Sequence, residues 1–120
     1  MKSFIFALCA FALLVAVIVV NCVFILHTAN SMEQLLTEVA QAEDPIAPAE
    51  QARDYWQARE GALAISVPYN KLYEVKDRLC ELCVAAQGKD ASELEVARLS
   101  ALHLLDEIRR TAHFSWRSLF

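Results

Sequence analysis

From Phe4 to Leu26 the chain carries no charged side chain, and nearly every residue is apolar. As a helix, at about 1.5 Å per residue, this run is roughly 34 Å long, enough to cross a hydrocarbon core of about 30 Å. A stretch of that kind leaves few folding options. In lipid the backbone must satisfy its own hydrogen bonds, which a lone segment achieves only as a helix. A cleaved signal peptide is the competing reading, but such peptides have apolar cores of about 7–15 residues and a small-x-small cleavage site. This core is longer, and Leu26-His27-Thr28-Ala29-Asn30-Ser31 offers no Ala-x-Ala. A lipidated Cys22 or Cys9 is disfavoured by Asn21 and Leu8 before them. Residues 1–27 are therefore expected to be a transmembrane anchor, with the lipid bilayer as partner of residues 4–26.

Charge sets the expected orientation. Lys2 precedes the span, and no Lys or Arg follows until Arg53, whereas Glu33, Glu38, Glu43, Asp44 and Glu50 fill the interval. The positive-inside bias puts the N-terminus in the cytoplasm and the following domain on the extracytoplasmic side of a cell membrane, in a single pass. The chain has a formal charge of −4, and the part beyond Lys2 is one unit more negative. An acidic domain argues against nucleic acid as a partner, since phosphate backbones are held by clustered Lys and Arg.

Beyond the span the pattern is helical throughout. Glycine and proline number only two and three, strand-like alternation and hairpin turn pairs are lacking, and good helix formers dominate. Met32, Leu35, Leu36 and Val39 form a narrow apolar stripe on a helix expected from about Thr28 to Glu43, either a separate helix or a continuation of the membrane helix, since nothing between Leu26 and Thr28 breaks it. Asp44-Pro45-Ile46-Ala47-Pro48 ends it, because two prolines in four residues remove backbone donors. Ala49, Ala52, Trp56, Leu63 and Val67 share one face of the next helix, with Gly61 near its end and Ser66-Val67-Pro68 opening another. Leu72, Val75, Leu79, Leu82 and Ala86 then make a heptad seam, closed by Gly88 as the expected left-handed residue. Asp90-Ala91-Ser92-Glu93 reads as a capping box for a last helix whose stripe is Leu94, Ala97, Ala101, Leu105, Ile108 and Ala112, widened by Leu99 and Leu102. The fold class is all-α, a single N-terminal transmembrane helix followed by a small antiparallel bundle. The expected divisions are 1–27 anchor, 28–47 membrane-proximal helix and Pro hinge, and 48–120 bundle.

This layout resembles the short bacterial membrane-anchored proteins grouped as domain of unknown function 4363. The pieces that match are Ala52 with Trp56, Lys71-Leu72-Tyr73-Glu74-Val75, Asp106-Glu107-Ile108, and the closing Ser115-Trp116-Arg117-Ser118-Leu119-Phe120. Where that family often has His and acidic residues, this chain has Tyr69, Asn70 and Lys71. The resemblance implies a bacterial membrane protein and carries no established activity.

Few residues suggest chemistry. Cys80-Glu81-Leu82-Cys83 is a candidate thiol pair: a disulfide, half of a zinc site, or two small core residues. It falls inside a helix rather than at the helix N-terminus that stabilises thiolates. His103 and His113 lie ten residues apart, not at metal-ligand spacing, and His27 sits at the span boundary. Asp106 and Glu107 are adjacent and so diverge on a helix. No nucleophile and base are paired, so neither an enzyme nor a cofactor or metal site is expected. Trp56, Phe114, Trp116, Arg117 and Phe120 are the candidate interaction surface, because aromatics beside arginine suit membrane interfaces and protein hot spots. The acidic stretch from Glu33 to Glu50 would attract the basic end that holds Arg109, Arg110 and Arg117, within one molecule or across a dimer. The expected function is a non-enzymatic interaction or structural module of the bacterial cell envelope, with a protein partner or homo-oligomer. A thiol-redox or metal-binding envelope protein using Cys80 and Cys83 is the alternative.

Overall fold

A computed structural model describes residues 1–119, and the side chains of all these except residues 115, 116, 118 and 119. It contains four helices: α1 Lys2–Gln41, α2 Ile46–Leu63, α3 Tyr69–Gln87 and α4 Ala91–Leu119. No strand occurs among the described residues. The all-α expectation holds.

Helix α1 runs unbroken for 40 residues because no glycine or proline interrupts Lys2–Gln41. It stops at Ala42, whose backbone is extended (φ −78°, ψ 141°) and whose N–H still bonds Glu38 O at 3.0 Å. The Asp44 carboxylate accepts the Ile46 N–H at 3.2 Å and so starts α2. Pro48 lies in the first turn of α2, where backbone donors have no helical acceptor and its missing N–H costs nothing.

α1 reads as two helices in series. Every side chain from Phe4 to Leu14 is exposed, and α1 as a whole, Lys2–Gln41, is long and apolar enough to cross a membrane. From Cys22 onward the same helix presents Ile25, Ala29, Met32, Leu36 and Val39 to the interior, and all are buried. α1 packs on α2, α2 on α3, α3 on α4, and α4 closes the ring on α1. Short connections make consecutive helices antiparallel. The result is a four-helix bundle extended along α1, 67 × 23 × 22 Å.

The division expected at residue 48 therefore does not mark where the bundle begins. Residues 28–41 are one of its four walls rather than a stalk beneath it, because the stripe Met32-Leu36-Val39 finds Ala49, Ala52 and Trp56 opposite in the same core. Trp56 lies in this core with 1% of its surface exposed. Its indole N–H has no acceptor among the described residues, at a cost of about 1–3 kcal/mol that the ring's apolar burial offsets. The α3 seam from Leu72 to Ala86 is buried as expected, and so is the α4 stripe from Ala97 to Ala112, with Leu94 partly covered. Leu99 instead stands 51% exposed on the outer face of α4.

The α3–α4 turn differs from the sequence expectation in one residue. Gly88 keeps a right-handed helical backbone (φ −78°), and Lys89 takes the left-handed place (φ 54°). The Asp90 N–H bonds Ala85 O at 3.2 Å and the Lys89 N–H bonds Ala86 O at 3.3 Å, the paired bonds of a Schellman ending. The helix runs one residue further than the glycine indicates, because Asp90 must sit where its carboxylate caps α4. Asp90 Oδ1 accepts the Glu93 N–H at 3.2 Å.

Candidate functional site

At the end of the bundle where the exposed half of α1 emerges, the ring of helices loses two of its four walls. α2 has ended at Leu63 and α3 begins only at Tyr69, so the short turn between them faces α1 and α4. Cys22 and Ala112 meet where α1 and α4 come close, with Sγ 3.9 Å from the Ala112 carbonyl oxygen. Small residues at that crossing leave space beside it, and the turn cannot fill it. The outcome is an open pocket of about 580 Å³. Ile18, Cys22 and Ile25 of α1, Val67 of the turn, and Ile108 and Ala112 of α4 make its apolar walls, with Phe114 at its edge.

Two polar pairs rim this pocket. The Asn21 side-chain amide donates to Ser66 Oγ and ties α1 to the turn. On the other side Lys71 Nζ bonds Glu107 Oε2 at 2.9 Å, joining α3 to α4. The hydrogen bond and charge of Lys71 hold the Glu107 carboxyl below the usual glutamate range. Glu107 in turn holds the Lys71 ammonium above its ordinary value. His103 Nε2 lies 3.1 Å from the other Glu107 oxygen, one helical turn back. The Lys71 and Glu107 charges neutralise one another.

A second linkage clamps α4 to α1 further up. Arg109 Nη1 donates to Glu33 at 2.7 Å and to Asn30 Oδ1 at 3.0 Å. The attraction expected between the acidic stretch and the basic end is thus made within one molecule at Glu33. Arg110 instead pairs along its own helix with Asp106 at 2.6 Å, and this holds the Asp106 carboxyl low.

The residues singled out from sequence are not gathered at this pocket. Trp56 is consumed by the core and offers no contact surface, which corrects its place in the candidate interaction surface. Phe114 is 72% exposed beside the pocket, and Arg117 is exposed in the last turn of α4. The Trp116 side chain and Phe120 lie outside the described residues. Cys80 and Cys83 are both free thiols and face different surroundings, Cys80 exposed and Cys83 buried. Burial pushes the Cys83 thiol up, against the opposing pull of the Arg53 guanidinium, so its thiolate is disfavoured. Among the described residues no group of three or more His, Cys, Asp or Glu is placed to hold a metal ion.

Sequence reasoning missed the pocket walls on the α2–α3 turn and the Lys71–Glu107 pair. A four-residue apolar-polar mixture at Ile65-Ser66-Val67-Pro68 carries no periodicity, and an ion pair between residues 36 apart leaves no local signature. No family model, no curated protein and no solved structure matches this chain.

Proposed function

We propose that this protein is a single-pass, membrane-anchored helical module that acts without chemistry of its own, by holding a rigid bundle at a fixed height on a bilayer and presenting it to a protein partner or a second copy. The observation that carries this reading is the continuity of α1. One helix is exposed and apolar along its first half and is a core wall of the bundle along its second, with no glycine, proline or turn between. An unbroken helix transmits orientation, so a bundle fused in this way does not swing freely on its anchor. The positive Lys2 before the span and the acidic residues after it support a cytoplasmic N-terminus and an extracytoplasmic bundle. The bacterial envelope setting rests on the family resemblance.

The burial of Trp56 and of the α3 seam narrows where a partner would dock. Both are spent on folding, and the surface near Phe114 and Arg117 remains. The test is in-cell cross-linking of the full-length, C-terminally tagged protein, with mass spectrometry of the membrane fraction. One dominant membrane partner or a self-linked dimer, cross-linked through the α4 end, supports the reading. Recovery of the protein in the soluble fraction, or membrane recovery without any specific cross-link, overturns it.

A further inference from the structure

Three segments distant in sequence meet at one level of the molecule. The Asn21–Ser66 hydrogen bond joins α1 to the α2–α3 turn there, and the Cys22–Ala112 contact joins α1 to α4. Below that level α1 is apolar, and α4 continues past Ala112 to Leu119. Around it stand the large side chains Ile65, Tyr69 and Phe114, exposed by 82%, 74% and 72%. Exposed apolar residues scattered singly need no explanation. Here they cluster on the end of the bundle from which the apolar helix departs, and two are aromatic, as in the belts at membrane–water interfaces.

The height follows from α1. Phe4 to Val20 is roughly 17 residues or about 26 Å of helix, near the short end of what spans a hydrocarbon core. Asn21 then falls at the boundary, and the pocket mouth opens at the bilayer surface. Building on the membrane reading given above, we propose that this pocket takes up one acyl chain of a bilayer phospholipid, which enters sideways past Phe114. The pocket's apolar walls are continuous with the lipid-facing surface of α1 through Ile18. Its volume of about 580 Å³ lies inside the range of about 300–1,000 Å³ common for small-molecule sites.

The rim identifies the kind of lipid recognition. Lys71 is already balanced by Glu107 at 2.9 Å, and Glu74 lies 3.9 Å away on its other side. An anionic headgroup gains nothing at such a rim, and a free fatty-acid carboxylate would face Glu107. The occupant is therefore a chain whose headgroup stays outside, and binding is indifferent to headgroup charge.

The experiment uses the full-length protein in nanodiscs containing a phosphatidylcholine with a diazirine midway along one acyl chain, followed by peptide mapping of the photolabel. Label on Val67 and Ile108, which are pocket walls only 7% and 6% exposed, is the expected result. Thr111→Trp, which fills the mouth from an exposed position, should abolish that label and leave label on residues 4–20 unchanged. Ser66→Trp serves the same purpose from the turn, and Leu99→Trp on the outer face should change nothing. Circular dichroism establishes that each variant keeps its helices. Label on α1, Ile65 and Tyr69 but not on Val67 or Ile108 overturns the pocket and leaves the membrane reading standing. Absence of label from α1 overturns both. Pocket labelling that rises when phosphatidylglycerol replaces phosphatidylcholine overturns recognition by the chain alone.

Discussion

Gly88→Ala separates the observed α3–α4 turn from the one a helix-ending glycine leads one to expect. If Gly88 held the left-handed position, an added Cβ would clash with the following carbonyl and cost about 1–2 kcal/mol. In the structure Gly88 has φ −78°, and a Cβ built on it meets its nearest neighbour, the Val84 carbonyl oxygen, at 3.4 Å, ordinary contact. Alanine is then tolerated and restricts the unfolded chain, for a gain of about 0.4–1 kcal/mol. The reciprocal change acts at Lys89, whose φ of 54° is the left-handed region. Lys89→Gly relieves a strain of about 1–2 kcal/mol and gives back about 0.5–1 kcal/mol in unfolded-state entropy. The net gain is about 0–1.5 kcal/mol, or at most several degrees in melting temperature at roughly 3–5 °C per kcal/mol for a domain of this size. Thermal unfolding of the full-length chain in detergent micelles, followed by far-ultraviolet circular dichroism, reads both. A Gly88→Ala variant destabilised by about 1 kcal/mol or more, with Lys89→Gly neutral or worse, would refute the assignment of the left-handed residue.

Three further changes probe the packing and the charges. Leu36→Ala empties a fully buried site on α1 and should cost about 2–5 kcal/mol in the same melt; a loss under about 0.5 kcal/mol would restore residues 28–41 to a stalk outside the core. Native-state maleimide labelling should modify exposed Cys80 rapidly and buried Cys83 only under unfolding conditions, whereas equal native rates would mean that Cys83 is not held in the core. Glu107 is depressed below its ordinary value of 4.5 by Lys71, so its stabilisation is complete above that pH and disappears as pH falls through the lower folded value. Lys71 is raised above 10.5, so its share is complete below that pH and is lost only as pH climbs past its folded value. Melting temperature should therefore be flat near neutrality and fall on the acid side, and Glu107→Gln should soften that acid limb; an identical acid limb in the variant would remove Glu107 from it.

Much of the secondary structure is local and legible in the sequence alone. The uncharged run from Phe4 to Leu26, the prolines at 45 and 48, the α3 seam and the Asp90 cap each act over a turn or two, so residue spacing alone locates them. Hydrophobic periodicity also marked most of the core, because an apolar stripe must be covered by something. What periodicity does not state is by what. Trp56 reads equally well as an anchor for a partner or as a core ring, and only the approach of α1 and α3 on either side of α2 places it inside.

The same ambiguity hid the candidate site. Its pocket exists because α2 stops at Leu63 and α3 restarts at Tyr69 while α1 and α4 continue past them, a mismatch of lengths that appears only once the helices are set side by side. Lys71 and Glu107 meet across that packing, as do Asn21 and Ser66 and, higher up, Glu33 and Arg109. By itself the sequence determined that this chain is helical, that its first half-helix is apolar enough for a membrane, and where its turns fall, since those depend on neighbours along the chain. Tertiary structure alone decided that α1 is an exposed apolar helix along its first half and a bundle wall along its second, that Cys80 and Cys83 face apart, and that an apolar pocket opens beside Phe114, since those depend on which surfaces are left when four helices of unequal length bury their stripes against one another.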